Sequence, residues 1–175
     1  MLQVVRTEVQ LAEMGAIKVV QGAGVLGCIG LGSCVGILLY DPVATAAALA
    51  HVMLPEKNGA DANETPGKYA TTALPALLEA LGASFASRQK AILIGGAEVF
   101  QNRQNTLRIG ARNVEKLREL LQARRIPIVF EDTGGHRGRS FEFDVASGQL
   151  TLRKVGEPSR IHNLAYVLGI LAKAG

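Results

Sequence analysis

Two residues of this chain could do covalent chemistry together: Cys34 and His51, 17 residues apart. A thiolate is a strong nucleophile, and an imidazole beside it can take the thiol proton and return it later. Gly32-Ser33-Cys34-Val35-Gly36 places a glycine two residues to either side of the thiol. That leaves it open to an incoming backbone. The same five residues match the cysteine version of a nucleophile elbow, which requires a strand before and a helix after. The residues after Cys34 read as a strand, so an elbow is not expected. Spacing alone leaves a blander reading open, in which a cysteine at a strand start is a small buried hydrophobe.

A competing motif overlaps this stretch. Gly22-Ala23-Gly24-Val25-Leu26-Gly27 satisfies the G-x-G-x-x-G pattern of dinucleotide sites. Such a site needs a helix N-terminus immediately afterwards, because the pyrophosphate sits on its free N–H groups. Gly27, Gly30 and Gly32 fall where that helix would begin and make a poor first turn. Asp41, the one acidic candidate for a ribose contact, belongs to an Asp-Pro turn and comes too soon. The site is rejected.

Strands on either side of a turn would hold Cys34 and His51 together. The apolar run Val35–Tyr40 predicts a buried strand, ended by the turn signal Asp41-Pro42. Ala46–Leu54 predicts the returning strand, stopped by Pro55. A hairpin of this kind brings His51 back to about the level of Cys34. Earlier strands are expected at Gln3–Val9 and Ile17–Gln21, followed by a glycine-studded stretch from Gly22 to Gly36. Thr65-Pro66 resembles an N-cap and first-turn proline of a helix reaching Leu81, with Pro75 as an obstacle inside it. Lys90–Ile94 predicts a strand and Asn113–Ala123 a helix. Ile126–Glu131, Ser140–Val145 and Gln149–Arg153 predict strands, the last two joined at Ser147-Gly148. Arg160–Lys173 carries an apolar stripe at helical spacing, through Ile161, Leu164, Leu168 and Leu171. Hairpins at both ends with helices between argue for an α+β layered domain.

Bulk properties narrow the function classes. At 175 residues with 48% hydrophobic content, the chain suits one domain with a packed core. No run is long enough to cross a bilayer and the first residues lack the order of a secretory signal, so a cytoplasmic protein is expected. Two cysteines spaced C-x5-C with His51 match no common zinc pattern, so no metal is expected. The net charge is +4, with much of the excess between Arg103 and Arg139. These basic residues are not interleaved with aromatics that could stack bases, so nucleic acid is not expected and a solvated face or an acidic protein partner is.

Several segments taken together resemble one family, the chemoreceptor glutamine deamidases (CheD) of bacterial chemotaxis. They are Leu31-Gly32-Ser33-Cys34-Val35, Tyr40-Asp41-Pro42 and Ala50-His51-Val52-Met53-Leu54-Pro55, then Gly95-Gly96-Ala97, Ile109-Gly110-Ala111-Arg112-Asn113 and Asp132-Thr133-Gly134-Gly135 with Arg139. The resemblance runs from about Ile17 to Val155. It implies a Cys-hydrolase type of α+β fold: a single-domain layered sandwich with mixed, largely antiparallel sheets. The deamidase domain is expected at 1–156, followed by an amphipathic helical extension at 157–175. The implied activity is hydrolysis of selected glutamine amides, and of glutamate methyl esters, on the cytoplasmic domain of methyl-accepting chemotaxis receptors. No cofactor is implied. A CheC-type phosphatase is an implied partner, and a chain acting chiefly as its regulator is the alternative. By position Cys34 is the nucleophile and His51 the general base and acid. The family's third member is a threonine six positions before the nucleophile, where this chain has Cys28; a thiol is a poorer acceptor for an imidazole N–H. Backbone N–H groups around Gly32, Ser33 and Cys34 are the expected oxyanion donors. Gly95-Gly96 and Gly134-Gly135 are read equally as groove or as turns, Arg112, Asn113 and Arg139 as scaffold or receptor contacts, and His136 and His162 as surface residues. Thr71 stands where many relatives carry an acidic residue.

Overall fold

The computed structural model describes residues 8–82, 88–99 and 107–170. Its centre is the pair β4 (Val35–Asp41) and β5 (Ala46–Val52), in which every residue is buried. A strand covered on both faces reads as a continuous apolar run, which is why neither segment alternates. Val35, Ile37 and Leu39 join Ala48, Ala50 and Val52 on one face, against the helices. Leu38, Tyr40, Ala47 and Leu49 lie on the other, against a second sheet.

One sheet runs β2 (Ile17–Gln21), β5, β4, β6 (Lys90–Gly95), β7 (Ile128–Thr133). The second runs β1 (Val9–Leu11), β3 (Val25–Leu31), β8 (Arg139–Asp144), β9 (Gln149–Lys154), β10 (Arg160–Asn163). Helices α1 (Ala70–Ala80) and α2 (Ile109–Ala123) cover the outer face of the first sheet. Among the described strands, β1·β3 and β6·β7 pair in parallel and the other pairs are antiparallel. The layered α+β sandwich with largely antiparallel sheets is therefore what the chain forms. No described helix is long and apolar enough to cross a membrane.

The β4–β5 turn is built on Asp41. Its buried carboxylate accepts from the N–H groups of Val43 (2.9 Å) and Ala44 (3.1 Å), from Arg88 Nε (2.9 Å) and from Gln89 Nε2 (3.1 Å). Burial alone would raise this carboxyl's pKa; the bonds from Ala44, Arg88 and Val43, with the Arg88 charge, outweigh it and hold it below the usual value.

Several expectations need correction. The glycine-studded stretch from Gly22 to Gly36 contains a further strand, β3 at Val25–Leu31, irregular between Cys28 and Leu31. Helix α1 starts after Tyr69 rather than at Thr65-Pro66, and Pro75 lies inside it on the exposed side. Helix α2 begins a turn earlier than the apolar stripe indicated, with Glu98 Oε1 accepting from the Ala111 N–H at 3.0 Å. The apolar stripe from Arg160 does not form one helix. Arg160–Asn163 pairs with β9, and Ala165–Leu168 forms a single turn, α3, ended by Gly169 at φ +76°. Leu164 and Leu168 are buried against the inter-sheet core while Ile161 is exposed, so the spacing came from a strand followed by a turn. The expected strand Gln3–Val9 lies outside the described residues except at its end, as does the last part of the tail.

Candidate active site

Cys34 ends the β3–β4 connection and His51 lies on β5. The ladder pairs Gly36 with His51 and Val35 with Val52, so Cys34 is the diagonal neighbour of His51. Side chains two apart on a strand share a face, and diagonal cross-strand neighbours lie about 7–8 Å apart, within reach of an imidazole. Cys34 packs against the core between the sheets and is partly open, whereas His51 is buried at 4% exposure. Cys28 lies on the facing strand β3 and is fully buried in the same core. All three residues singled out from the sequence thus border the seam between the sheets.

The imidazole is held by a group the sequence could not reveal. His51 Nδ1 lies 3.1 Å from the carbonyl oxygen of Ala12, which can only accept, so Nδ1 carries the proton. That leaves Nε2 with a lone pair, buried and without a hydrogen-bond partner among the described residues. The Cys28 thiol donates weakly to the same Ala12 carbonyl at 3.8 Å. Ala12 is itself fixed, its N–H donating to Gly27 O at 2.9 Å. A backbone carbonyl thus holds the imidazole, and Cys28 stands beside it.

Charge in the resting site is suppressed. Burial pushes the Cys34 thiol above its ordinary value. It pushes the Cys28 thiol up to about 12, with a further contribution from Cys34. Burial lowers the His51 pKa against a smaller upward pull from the bond to Ala12. A low dielectric disfavours both charged forms, so burial favours a neutral thiol beside a neutral imidazole. No hydrogen bond joins the two in this structure; such contacts commonly tighten only when substrate arrives.

The segment carrying Cys34 is tied down on one side. Gly32 O accepts from Ala97 N–H (2.8 Å), Ser33 O from Asn113 Nδ2 (2.9 Å) and Cys34 O from Gly96 N–H (2.8 Å). Gly95 must be glycine here, because a Cβ on it would sit 2.3 Å from Cys34 O, and its φ is +119°. Among the described residues, no acceptor is bound to the N–H of Ser33 or Cys34.

Cys34 opens into a cleft of about 780 Å³ bordered by Gly32, Ser33, Val99, His136 and Val155. Arg139 also lines it: buried at 5% exposure, it donates to Asp132 Oδ1 (2.8 Å) and Arg137 O (3.0 Å). Lys154 reaches Asp132 Oδ2 at 2.8 Å, so this carboxylate on β7 joins β8 and β9 across the two sheets. Arg139 is scaffold. Of the two remaining histidines, His136 is exposed, but His162 is half-buried against the Phe130 ring, centroids 4.8 Å apart, rather than a surface residue. Neither the elbow nor the dinucleotide motif forms its required helix, since strands come after both. Among the described residues, no cluster of three His, Cys, Asp or Glu side chains is placed to hold a metal.

The two-sheet sandwich thus carries a partly open thiol at the mouth of its seam and a backbone-anchored imidazole on the adjoining strand. The sequence profile described as "CheD chemotactic sensory transduction" matches residues 53–154. The chain is 41% identical to the "Probable chemoreceptor glutamine deamidase CheD" of Caldanaerobacter subterraneus, over 88% of this chain and 94% of that protein. It is 43% identical to the "Chemoreceptor glutamine deamidase CheD" of Thermotoga maritima, over 82% and 90% respectively. A "Probable chemoreceptor glutamine deamidase CheD" of Pyrococcus abyssi is 42% identical over 81% and 89%. The chain belongs to the CheD family.

Proposed function

We propose that this protein hydrolyses the side-chain amide of selected glutamines on the cytoplasmic domain of chemotaxis receptors, giving glutamate and ammonia, with Cys34 as nucleophile and His51 as general base and acid. The supporting observation is the commitment of His51 Nδ1 to Ala12 O, which leaves Nε2 unpartnered on the face it shares with the open thiol. The relatives' names supply the substrate class.

Both groups rest neutral, so the proton moves as substrate arrives rather than beforehand. Nε2 takes the thiol proton while sulfur bonds to the amide carbon, and the carbonyl becomes an oxyanion. The N–H groups of Ser33 and Cys34 stabilise that charge. Imidazolium then protonates the departing nitrogen, the C–N bond breaks, and ammonia leaves a glutamyl thioester. His51 next deprotonates water, which attacks the thioester; the C–S bond breaks and the thiol is restored. A glutamate methyl ester reacts by the same path with methanol leaving. We place this reaction in the cytoplasm, where the receptor helices lie. A chain serving chiefly to bind a CheC-type phosphatase would need neither an open thiol nor an unpartnered imidazole nitrogen.

Hydroxylamine added during turnover tests the acyl intermediate. Interception of a thioester gives a glutamyl hydroxamate at the modified position, seen by mass spectrometry of the receptor fragment. Glutamate formation with no hydroxamate at high hydroxylamine would contradict the covalent route.

A further inference from the structure

The Cys34 segment is anchored through three consecutive carbonyls, and the middle bond differs from its neighbours. Gly32 O and Cys34 O accept from backbone N–H groups of Ala97 and Gly96, while Ser33 O accepts from the side chain of Asn113 at 2.9 Å. In a trans peptide the carbonyl of one residue and the N–H of the next point in opposite directions. Fixing Gly32 O and Ser33 O toward the 95–97 segment and α2 therefore turns the N–H groups of Ser33 and Cys34 away from them. Consecutive N–H groups turned to one side form a concavity that suits an anion.

Asn113 also donates to Met53 O at 3.0 Å, two residues beyond His51. One side chain thus joins the nucleophile's own peptide to the end of the strand that carries the imidazole. Both neighbours are carbonyls, which fixes the amide orientation with Nδ2 toward them. Asn113 is fully buried, and its Oδ1 has no partner among the described residues. A buried, unpaired carbonyl oxygen is unfavourable. Any apolar residue would avoid that loss, so the double donation accounts for an amide at this position.

We propose that Asn113 is the positioning residue of the oxyanion site: it holds the Ser33–Cys34 peptide so that the Cys34 N–H, with that of Ser33, meets the charge developing on the substrate carbonyl oxygen. The inference rests on Cys34 being the nucleophile. Asn113 itself touches neither substrate nor sulfur.

The test compares two reactions of one thiol. Deamidation passes through an oxyanion, whereas alkylation by iodoacetamide forms a C–S bond as iodide leaves and passes through none. Loss of an oxyanion donor costs about 100- to 1000-fold in kcat, and a donor that is loosened rather than removed should cost about 10- to 100-fold. Asn113→Ala is therefore expected to lower kcat for a receptor fragment by that factor, with KM and the Cys34 alkylation rate within about threefold of wild type. Asn113→Asp, whose buried carboxyl stays protonated and has one O–H to donate in place of two N–H groups, should lose less turnover than Asn113→Ala. A folded variant with full turnover would overturn the proposal, and so would alkylation falling in parallel with turnover. Cys34→Ala in the same assay separates the two levels. Deamidation surviving that change would sink the nucleophile assignment itself. An inactive Cys34→Ala beside a fully active Asn113→Ala would sink only the role of Asn113.

Discussion

Gly36 is paired directly with His51, and the space a side chain would need there is already filled. A Cβ on residue 36 would lie 2.7 Å from Phe141 Cε1, 3.1 Å from Phe141 Cζ and 3.4 Å from Leu31 Cδ1. Carbon atoms settle at about 3.5–4.0 Å, so the nearest contact is short by about 1 Å. Neither neighbour has room to yield, with Phe141 at 1% and Leu31 at 0% exposure. The backbone of Gly36 is not in the left-handed region, so alanine brings no dihedral strain and relieves about 0.5–1 kcal/mol of glycine's entropic disadvantage. Overpacking a core by a methyl costs about 1–3 kcal/mol. Gly36→Ala should therefore destabilise by about 1–2 kcal/mol, measured by urea unfolding. Because the displaced ring lies over the layer containing His51, turnover should also fall. Phe141→Leu removes the colliding ring atoms. In the double variant the Gly36→Ala effect should shrink by at least about 0.5 kcal/mol. A Gly36→Ala protein as stable as wild type, or strict additivity with Phe141→Leu, would show that the clash is not there.

The two thiols should differ in native labelling: Cys34 reacts with a thiol probe at the cleft, with an apparent pKa above the ordinary value of about 8.5, while buried Cys28 stays unreacted until unfolding. A Cys34 midpoint below that value, or early labelling of Cys28, would contradict the role given to burial. His51 has a folded pKa below its unfolded one, so below about pH 6.5 the unfolded chain takes up a proton first. Its contribution is intact above that pH and is lost as pH falls toward the folded pKa, at no more than about 1.4 kcal/mol per unit. His51→Gln should flatten the fall in urea midpoint between pH 7 and 5 (about the histidine range), and an unchanged slope would count against it. Asp132→Ala leaves Arg139 buried without its carboxylate and should cost about 3 kcal/mol in unfolding free energy, with under 1 kcal/mol contradicting the cross-sheet tie.

The β4–β5 hairpin was readable because an unbroken apolar run, an Asp-Pro turn and a returning run leave few other folds. The Cys34–His51 relation came with it. Strand β3 was hidden because its glycines resemble a loop. The end of the chain misled because Ile161, Leu164 and Leu168 satisfy helical spacing whether or not one helix carries them. The orienting acceptor for His51 could not be found from residue types at all, since the carbonyl of Ala12 is a group every residue has and only β1–β3 pairing brings its segment there. Asn113 was visible as part of a motif, but its two acceptors lie 80 and 60 residues away in sequence.

Conversion of receptor glutamine to glutamate should depend on Cys34 and His51 together. Mass spectrometry of a receptor cytoplasmic fragment incubated with wild-type protein, Cys34→Ala and His51→Ala reads that dependence without an intermediary. The expected result is site-specific amide-to-acid conversion by the wild type and none above background by either variant. Conversion that persists in a folded Cys34→Ala protein, or wild-type protein that converts nothing, would contradict it.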